Sequence, residues 1–356
     1  MVSRGDEDAV DDSVLEDSHL MRWWGSEHTG TPDPLREAHR SMVLGAMFGA
    51  PTLRRFGRYV VLDVLGQGGM GTVLKGYDDE LDRQVAIKVL HGGSTGQQGP
   101  RLRREAQALA KLAHPNVVQV YEVGEAEGQL FVAMELVKGQ TLRQWQSSGG
   151  SPREWKECVE VYLQAGRGLA AAHAKGLVHR DFKPGNAILD KEGRTRVLDF
   201  GLARRGDEDD LDLDTGGVPS QIQRARTEPE LAAPLDQSLT KTGAVLGTLP
   251  YMPPEQMDGR EVDARSDQFS FCVALYEAVY GERPFAGESL FSLITAMRQG
   301  EVRPPPRGSS VPAALRRVLL RGLAVEPGER WPAMNDLLTE LEELVEPRAR
   351  RWVTPL

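Results

Sequence analysis

Apolar residues occur in short runs between residues 59 and 136, and glycine or charged residues bound each run. Runs of this length predict β-strands, of which residues 59–65 and 85–90 are the clearest. Residues 100–112 differ, because they begin with proline and repeat apolar side chains at helical spacing. The pattern predicts that residues 53–137 form a small β-rich lobe that contains one helix.

Helical periodicity replaces the strand pattern after residue 138. Ser151, Pro152 and Glu154 have the spacing of a capping box with proline at the first helical position, which predicts a helix that runs to Gly176. Four more helices are predicted at residues 263–280, 288–299, 312–323 and 332–344. The sequence therefore predicts an α+β protein whose larger, α-helical lobe covers residues 138–346.

Three segments lack both patterns. Residues 1–52 open with acidic clusters, and we expect a largely disordered arm. Residues 206–238 are first acidic and then rich in proline, alanine and glutamine, which predicts a disordered insertion. Residues 347–356 form a short basic tail.

The composition narrows the classes of function. A net charge of −9 argues against bulk binding to nucleic acid. Only Cys158 and Cys272 are present, on separate predicted helices, so we expect no disulfide framework and a reducing, cytoplasmic location. No apolar run approaches the roughly 20 residues of a membrane span, and the acidic N-terminus is unlike a signal peptide.

Two short sequences carry candidate chemistry: His-Arg-Asp-Phe-Lys-Pro-Gly-Asn at residues 179–186 and Asp-Phe-Gly at residues 199–201. Asp181 can accept the proton of an attacking hydroxyl group, and Lys183 can reach a transferred phosphate. The oxygen ligands that suit Mg²⁺ are those of Asn186 and Asp199. Together these residue types indicate a phosphoryl-transfer site.

A glycine-rich loop precedes this block. Residues 66–71 read Gly-x-Gly-x-x-Gly and lead into a β-type pattern, which favours a hairpin over phosphates rather than the start of a helix. Lys88 lies inside an apolar strand and requires a charged partner. Glu105 is the carboxylate that we expect to pair with Lys88. The alternative interpretation is that Glu105 pairs with Arg101 on the exposed surface of the helix.

These motifs resemble those of the eukaryotic-like serine/threonine protein kinases that are common in bacteria, over about residues 59–345. The resemblance implies the bilobal protein-kinase fold, with a mainly antiparallel small lobe, and the cofactors ATP and Mg²⁺ or Mn²⁺. It implies that Asp181 is the catalytic base, that Lys183 contacts phosphate, and that Glu105 orients Lys88. The implied metal ligands are Asn186 and Asp199. The implied nucleotide contacts are Leu65, Gly66, Gly68, Gly69, Gly71, Val73, Ala86, Lys88, Met134, Glu135, Val137 and Ile188.

The resemblance extends downstream. Residues 247–255 resemble the end of an activation segment, which would cover residues 199–255. Asp267 resembles a buried aspartate that opens the central helix, and Arg330 resembles the arginine that pairs with Glu255. Two apolar positions outside the proton and metal chemistry depart from the family pattern, Phe182 and Pro253.

The same resemblance implies a switch. Arg180 precedes the catalytic base, and an arginine at this position pairs with a phosphorylated residue of the activation segment in related kinases. Thr240 and Thr242 are the candidate regulatory phosphorylation sites. Thr248 is expected to bridge the base and the following lysine, an arrangement that favours serine or threonine acceptors.

The expected partners are protein substrates, including a second copy of the chain in trans through a transient homodimer. Two alternatives remain open. An aminoglycoside-type small-molecule kinase shares the lobes and the base, but it lacks the combination of Arg180 and Lys183 and the segment at residues 247–255. A pseudokinase scaffold is diagnosed by loss of a catalytic residue, and no such loss is seen in this sequence.

Overall fold

The structure, a computed structural model, describes residues 54–68, 71–90, 98–148, 153–200, 248–287 and 289–345. All of them belong to one compact unit that begins at Leu53. The predictions for the N-terminal arm, the insertion and the basic tail lie outside these ranges. Within the same ranges, no helix combines the length and the apolar composition that crossing a membrane requires.

A six-stranded antiparallel sheet in the order β1-β2-β3-β4-β6-β5 forms the small lobe. Its strands are β1 (Arg55–Phe56), β2 (Tyr59–Gly68), β3 (Gly71–Asp78), β4 (Arg83–Leu90), β5 (Val120–Ala126) and β6 (Gln129–Glu135). The last six residues of β4 are all buried, as expected for a central strand. The predicted β-rich lobe is confirmed.

One helix, α1 (Gln98–Ala110), accompanies this sheet and packs against β5. It begins and ends two residues before the predicted range of 100–112. Its inner face includes the buried residues Ala106 and Leu109, in agreement with the apolar spacing of the sequence.

The large lobe is helical, as predicted. Its helices are α2 (Leu142–Ser147), α3 (Trp155–His173), α4 (Pro254–Met257), α5 (Ala264–Tyr280), α6 (Leu290–Gln299), α7 (Ala313–Gly322) and α8 (Met334–Val345). The central helix α5 packs against α3, α7 and α8, and even its polar residues Ser266, Gln268 and Ser270 are buried. Gly281 and Gly300 end α5 and α6 in the left-handed conformation, with φ of 73° and 67°.

The predicted start of α3 is wrong. The helix begins at Trp155, and Glu154 takes the N-cap position without a side-chain capping bond. Arg153 instead stacks its guanidinium on Trp145, 4.2 Å from the ring centroid, and donates from Nε to the Trp145 carbonyl oxygen at 2.8 Å. These contacts hold residue 153 outside the helix. The helix also ends at His173, three residues before the predicted end.

A second sheet, ordered β7-β8-β9, lies in the large lobe and was not predicted. Its strands are β7 (Gly139–Thr141), β8 (Ala187–Asp190) and β9 (Thr195–Val197). The Val118 N–H donates to the Val197 carbonyl at 3.0 Å, and the Val197 N–H donates to the Asn116 carbonyl at 2.9 Å. These bonds tie the segment before β5 to the large lobe.

Gly168 on α3 permits this connection. A Cβ atom there would lie 2.4 Å from the Asn116 carbonyl oxygen, a distance that real Cβ atoms do not adopt.

The two cysteines are free and buried elsewhere in the large lobe, and burial raises the pKa of both thiols to about 12. They therefore serve as small core residues rather than as reactive thiols.

Candidate active site

A single buried carboxylate fixes the loop that carries the candidate base. Asp267, on the first turn of α5, accepts the backbone N–H of His179 at 2.7 Å and that of Arg180 at 2.8 Å. The Nε2 atom of His173, at the end of α3, lies 2.7 Å from the same carboxylate. Arg180 has φ of 63°, a left-handed conformation that costs a non-glycine residue free energy. The bonds to Asp267 offset that cost.

Electrostatics favour the ionised form of Asp267. Burial alone would raise the pKa of its carboxyl group, but the hydrogen bond from His173, the nearby imidazoles and the His179 N–H hold that pKa below its usual value. The carboxylate therefore keeps acceptor oxygens for its donors. His173 is thus a structural residue beside the loop that carries the candidate base.

His179 couples the loop to residues 198–200. Its Nδ1 atom accepts the Asp181 N–H at 3.3 Å, so the ring proton lies on Nε2 and is donated to the Leu198 carbonyl at 2.8 Å. The His179 and Phe200 rings lie 4.7 Å apart, and Phe182 packs edge-on against His179 at 5.8 Å. Phe182 is almost fully buried, which explains why an apolar side chain is required there.

The candidate base lies at the centre of a polar cluster. The Lys183 ammonium donates to Asp181 Oδ2 at 2.9 Å and to the Thr248 hydroxyl at 2.7 Å. The Asn186 amide nitrogen donates to the Asp181 carbonyl at 2.8 Å and to its Oδ2 at 3.2 Å. The structure thus brings together Asp181, Lys183, Thr248 and Asn186. Thr248 contacts Lys183, and its predicted contact with Asp181 stays a prediction. The amide oxygen of Asn186 is the atom that remains for a cation.

A second charged pair lies on the sheet side. The Lys88 ammonium contacts Asp199 Oδ1 at 2.9 Å, and the Lys88 side chain is 9 % exposed. Asp199 has φ of 52°, the second left-handed non-glycine residue of the site. The predicted partner Glu105 lies on α1, but its side chain is outside the described part of the chain, so that pairing stays a prediction.

The donor set of Asp199 and Asn186, one carboxylate and one amide oxygen, fits Mg²⁺ or Mn²⁺. Such ions take one or two carboxylates from the protein and fill the remaining positions with phosphate oxygens and water. Over the ranges that the structure describes, no cluster of three or more His, Cys, Asp or Glu side chains is present to hold a metal by itself. The set therefore suits an ion that arrives with a phosphate ligand.

Strand register places the predicted nucleotide contacts on one face of the sheet. Lys88 is paired directly with Val73, and Ala86 two residues earlier is paired with Met134. Directly paired residues, and residues two apart on a strand, project to the same face. Three further predicted contacts are half-buried. Glu135 ends β6, Val137 lies between β6 and β7, and Ile188 lies on β8.

The glycine-rich loop divides into two kinds of position. A Cβ atom on Gly66 or Gly68 would meet no atom within 4 Å, so both backbones face open space. Gly71 has φ of 150°, and a Cβ atom there would lie 2.1 Å from the Val89 carbonyl oxygen. Gly71 is thus required by the close approach of β3 to β4. Leu65 is about half exposed beside the loop, and Gly69 lies outside the described residues.

A buried ion pair holds the segment that follows Thr248. Arg330 donates from Nη1 and Nη2 to the two carboxylate oxygens of Glu255, at 2.7 and 2.8 Å, and Ser266 donates to the same carboxylate at 2.7 Å. Both side chains of the pair are at most 2 % exposed. The predicted pairing is present. Thr240 and Thr242 fall outside the described ranges.

One charged residue beside the site was not predicted. Arg196 on β9 contacts Asp190 and, at 3.4 Å, Glu135 at the end of β6. The sequence feature that could have identified Arg196 is its charge within a short strand shortly before Asp199. That feature is informative only when the pairing of Arg196 with Ile188 is known, and the sequence does not specify this strand register.

Comparison with known proteins places these residues in context. The family described as protein kinase domain matches residues 59–340. The serine/threonine-protein kinase PrkC of Bacillus subtilis is 32% identical over 80% of the chain. The serine/threonine-protein kinase PknB of Mycolicibacterium smegmatis is 36% identical over 82% of the chain. The tyrosine-protein kinase MasK of Myxococcus xanthus is 34% identical, also over 82%.

The matched region is only part of those relatives, since it spans 40% of PrkC and 44% of PknB and of MasK. Among solved structures, the PknI kinase domain of Mycobacterium tuberculosis superposes with a TM-score of 0.59 at 24% sequence identity. The alignment covers 83% of this chain and 99% of that domain. This likeness confirms the bilobal fold, with its antiparallel small lobe and helical large lobe.

The buried pair yields a stability prediction. The variant Glu255→Gln leaves the Arg330 guanidinium buried without its carboxylate, so we expect the free energy of unfolding to fall by about 3–5 kcal/mol. Urea denaturation measures it. Glu261→Gln removes an exposed carboxylate and serves as the matched control, with an expected change within about 0.5 kcal/mol. Equal losses in the two variants would contradict the role assigned to Glu255.

Proposed function

Since this chain belongs to the protein kinase domain family, we propose that it transfers the γ-phosphate of ATP to serine or threonine hydroxyl groups of proteins. The observation that carries the proposal is the contact of Lys183 with both Asp181 and Thr248, at 2.9 and 2.7 Å. It joins a base, a cation and the segment beside the acceptor. The same cluster supports neither a scaffold without catalysis nor a site with a missing base.

The acceptor hydroxyl loses its proton to Asp181 in this mechanism. Asp181 is oriented by the Asn186 amide and by the loop that Asp267 holds, so proton acceptance needs no rearrangement of the loop. Lys183 stabilises negative charge that develops on the transferred phosphoryl group. Thr248 positions the Lys183 ammonium and borders the acceptor, which favours a short aliphatic hydroxyl.

Nucleotide is held on the sheet side. Lys88 would bind the α- and β-phosphates, while Asn186 and Asp199 would hold the divalent cation. A bound Mg²⁺ or Mn²⁺ ion neutralises charge on the phosphate oxygens. The backbone of residues 134–137 binds the adenine ring, with Val73, Ala86 and Ile188 on its faces. Glu105 orients Lys88 when the nucleotide is bound.

We further propose that the chain acts in the cytoplasm on protein substrates, among them a second copy in trans through a transient homodimer. Two free, buried cysteines support a reducing compartment, and the net charge of −9 argues against nucleic acid as a partner. Fractionation of cells that produce the full chain tests the location, and a membrane-bound or secreted pool would contradict it.

Asp181→Asn tests the mechanism. Loss of the base should lower phosphate incorporation into the chain and into a generic protein acceptor by about 10²–10⁴-fold, while binding of ADP with Mg²⁺ is retained. Mass spectrometry locates the phosphate. The matched control Asp79→Asn alters an exposed aspartate and should keep parental activity.

Each outcome of that experiment is decisive. Phosphate on serine and threonine that is abolished by EDTA and by Asp181→Asn supports the proposal. Phosphate on tyrosine alone would contradict the proposed serine or threonine acceptors and indicate a tyrosine kinase, the activity for which MasK is named. Phosphate on a small molecule, or incorporation equal in both forms, would contradict protein kinase activity through Asp181.

Phosphorylation of Thr240 and Thr242 is proposed to raise activity by pairing with Arg180. The double replacement by alanine should therefore lower the rate of enzyme preincubated with Mg·ATP by about 5- to 150-fold, measured on an external acceptor. Replacing Thr215 and Thr227, which lie earlier in the same segment, provides the matched control. Equal rates for the two double variants would rule out the switch.

A further inference from the structure

Arg196 connects the two sheets of the molecule through its guanidinium group. Its Nη1 atom contacts the Asp190 carboxylate on β8, and its Nε atom lies 3.4 Å from Glu135 Oε1 at the end of β6. The Arg196 side chain is 14 % exposed, so this bridge is largely shielded from solvent. It joins the last strand of the small-lobe sheet to the hairpin that precedes Asp199.

Strand register directs Arg196 toward the nucleotide side. Arg196 is paired directly with Ile188, and Ile188 is paired with Thr141 on the other neighbouring strand. Directly paired side chains share one face of an antiparallel sheet, and Asp190 shares it too because it lies two residues beyond Ile188. Arg196 therefore lies on the face that presents Ile188, the residue assigned to one side of the adenine ring.

The other end of the bridge belongs to the segment assigned to the adenine edge. Glu135 follows Met134, and its backbone N–H donates to the Gln119 carbonyl at 2.9 Å. Its Cα is paired with Val85 on β4. Among the described residues, the contact with Arg196 restrains the Glu135 side chain and reaches the large lobe.

We propose that Arg196 is a positioning residue for nucleotide binding, which sets the distance between residues 134–137 and Ile188 and thereby the affinity for the adenine nucleotide. The inference rests on the proposed function, because it takes those residues as the adenine site. Arg196 acts through Glu135 and Asp190 and does not itself touch the reacting atoms.

The fold should tolerate loss of the bridge. Asp190 Oδ1 also accepts the backbone N–H groups of Glu192 at 3.0 Å and of Arg194 at 2.8 Å, so the carboxylate retains two donors on that oxygen. Glu135 is 30 % exposed in its side chain, which lets water solvate its carboxylate. Replacement of Arg196 therefore leaves no fully buried carboxylate without a partner.

Calorimetric titration of the full chain with ADP in the presence of Mg²⁺ tests the proposal. Arg196→Met should weaken ADP binding by about three- to tenfold and raise the KM for ATP in parallel. At saturating ATP, kcat should stay within about twofold of the parent. Arg196→Lys retains the charge and should recover part of the affinity.

Matched variants separate a local role from general loss of charge. Arg194→Met removes an exposed arginine of the same hairpin whose described contact is a backbone one, and it should bind ADP as the parent does. Glu135→Gln breaks the bridge from its more exposed end and should reproduce the loss. The double variant of Arg196 and Glu135 should bind no more weakly than Arg196→Met, because both substitutions remove one interaction.

ADP binding by the parent chain separates the positioning role of Arg196 from the kinase activity itself. A parent chain that binds no ADP would contradict the proposed kinase activity. If the parent binds ADP and both Arg196→Met and Glu135→Gln bind it equally well, the positioning role is wrong. A kcat that falls while KM and the ADP dissociation constant stay at parental values would also overturn it. Glu135→Gln keeps the test decisive should Arg196→Met fail to fold.

Discussion

The carboxylate of Asp267 is the constraint on which the candidate site depends. It receives two backbone N–H groups of the catalytic loop and the His173 imidazole in the interior of the large lobe. Those bonds hold Arg180 in a left-handed conformation that the residue would not adopt by itself. Asp181 follows immediately, so its direction is set by a residue that takes no part in the chemistry. The core helix α5 thus provides a rigid reference for the base.

Two further sets of contacts position the parts of the site that lie away from Asp267. The buried pair of Arg330 and Glu255 fixes the segment behind Thr248 against α5, so that Thr248 can meet Lys183. On the other side, hydrogen bonds between β9 and the segment before β5 align the two lobes. The acceptor side and the nucleotide side are therefore built on different contacts to the same lobe.

Local spacing made much of this predictable. The sequence places Asp181, Lys183 and Asn186 within one loop, and their contacts in the structure are short-range consequences of that loop. Contacts between different segments were accessible only where the family resemblance named both partners, as for Arg330 with Glu255. The start of α3 was misplaced because Arg153 stacks on Trp145. The contact of Lys88 with Asp199, 111 residues away in the numbering, was not predicted. Arg196 was missed because its position beside the site follows from its pairing with Ile188, and that pairing depends on the sheet register.

The most direct test of the account is the rate of phosphoryl transfer at saturating Mg·ATP in Asp267→Asn, with the ADP dissociation constant measured on the same preparation. An amide presents donors where the loop requires acceptors, so it cannot receive both backbone N–H groups and the His173 ring. We expect kcat to fall by at least about 10²-fold while ADP binding is retained. A parental kcat in a folded Asp267→Asn protein would contradict the claim that this carboxylate positions the base.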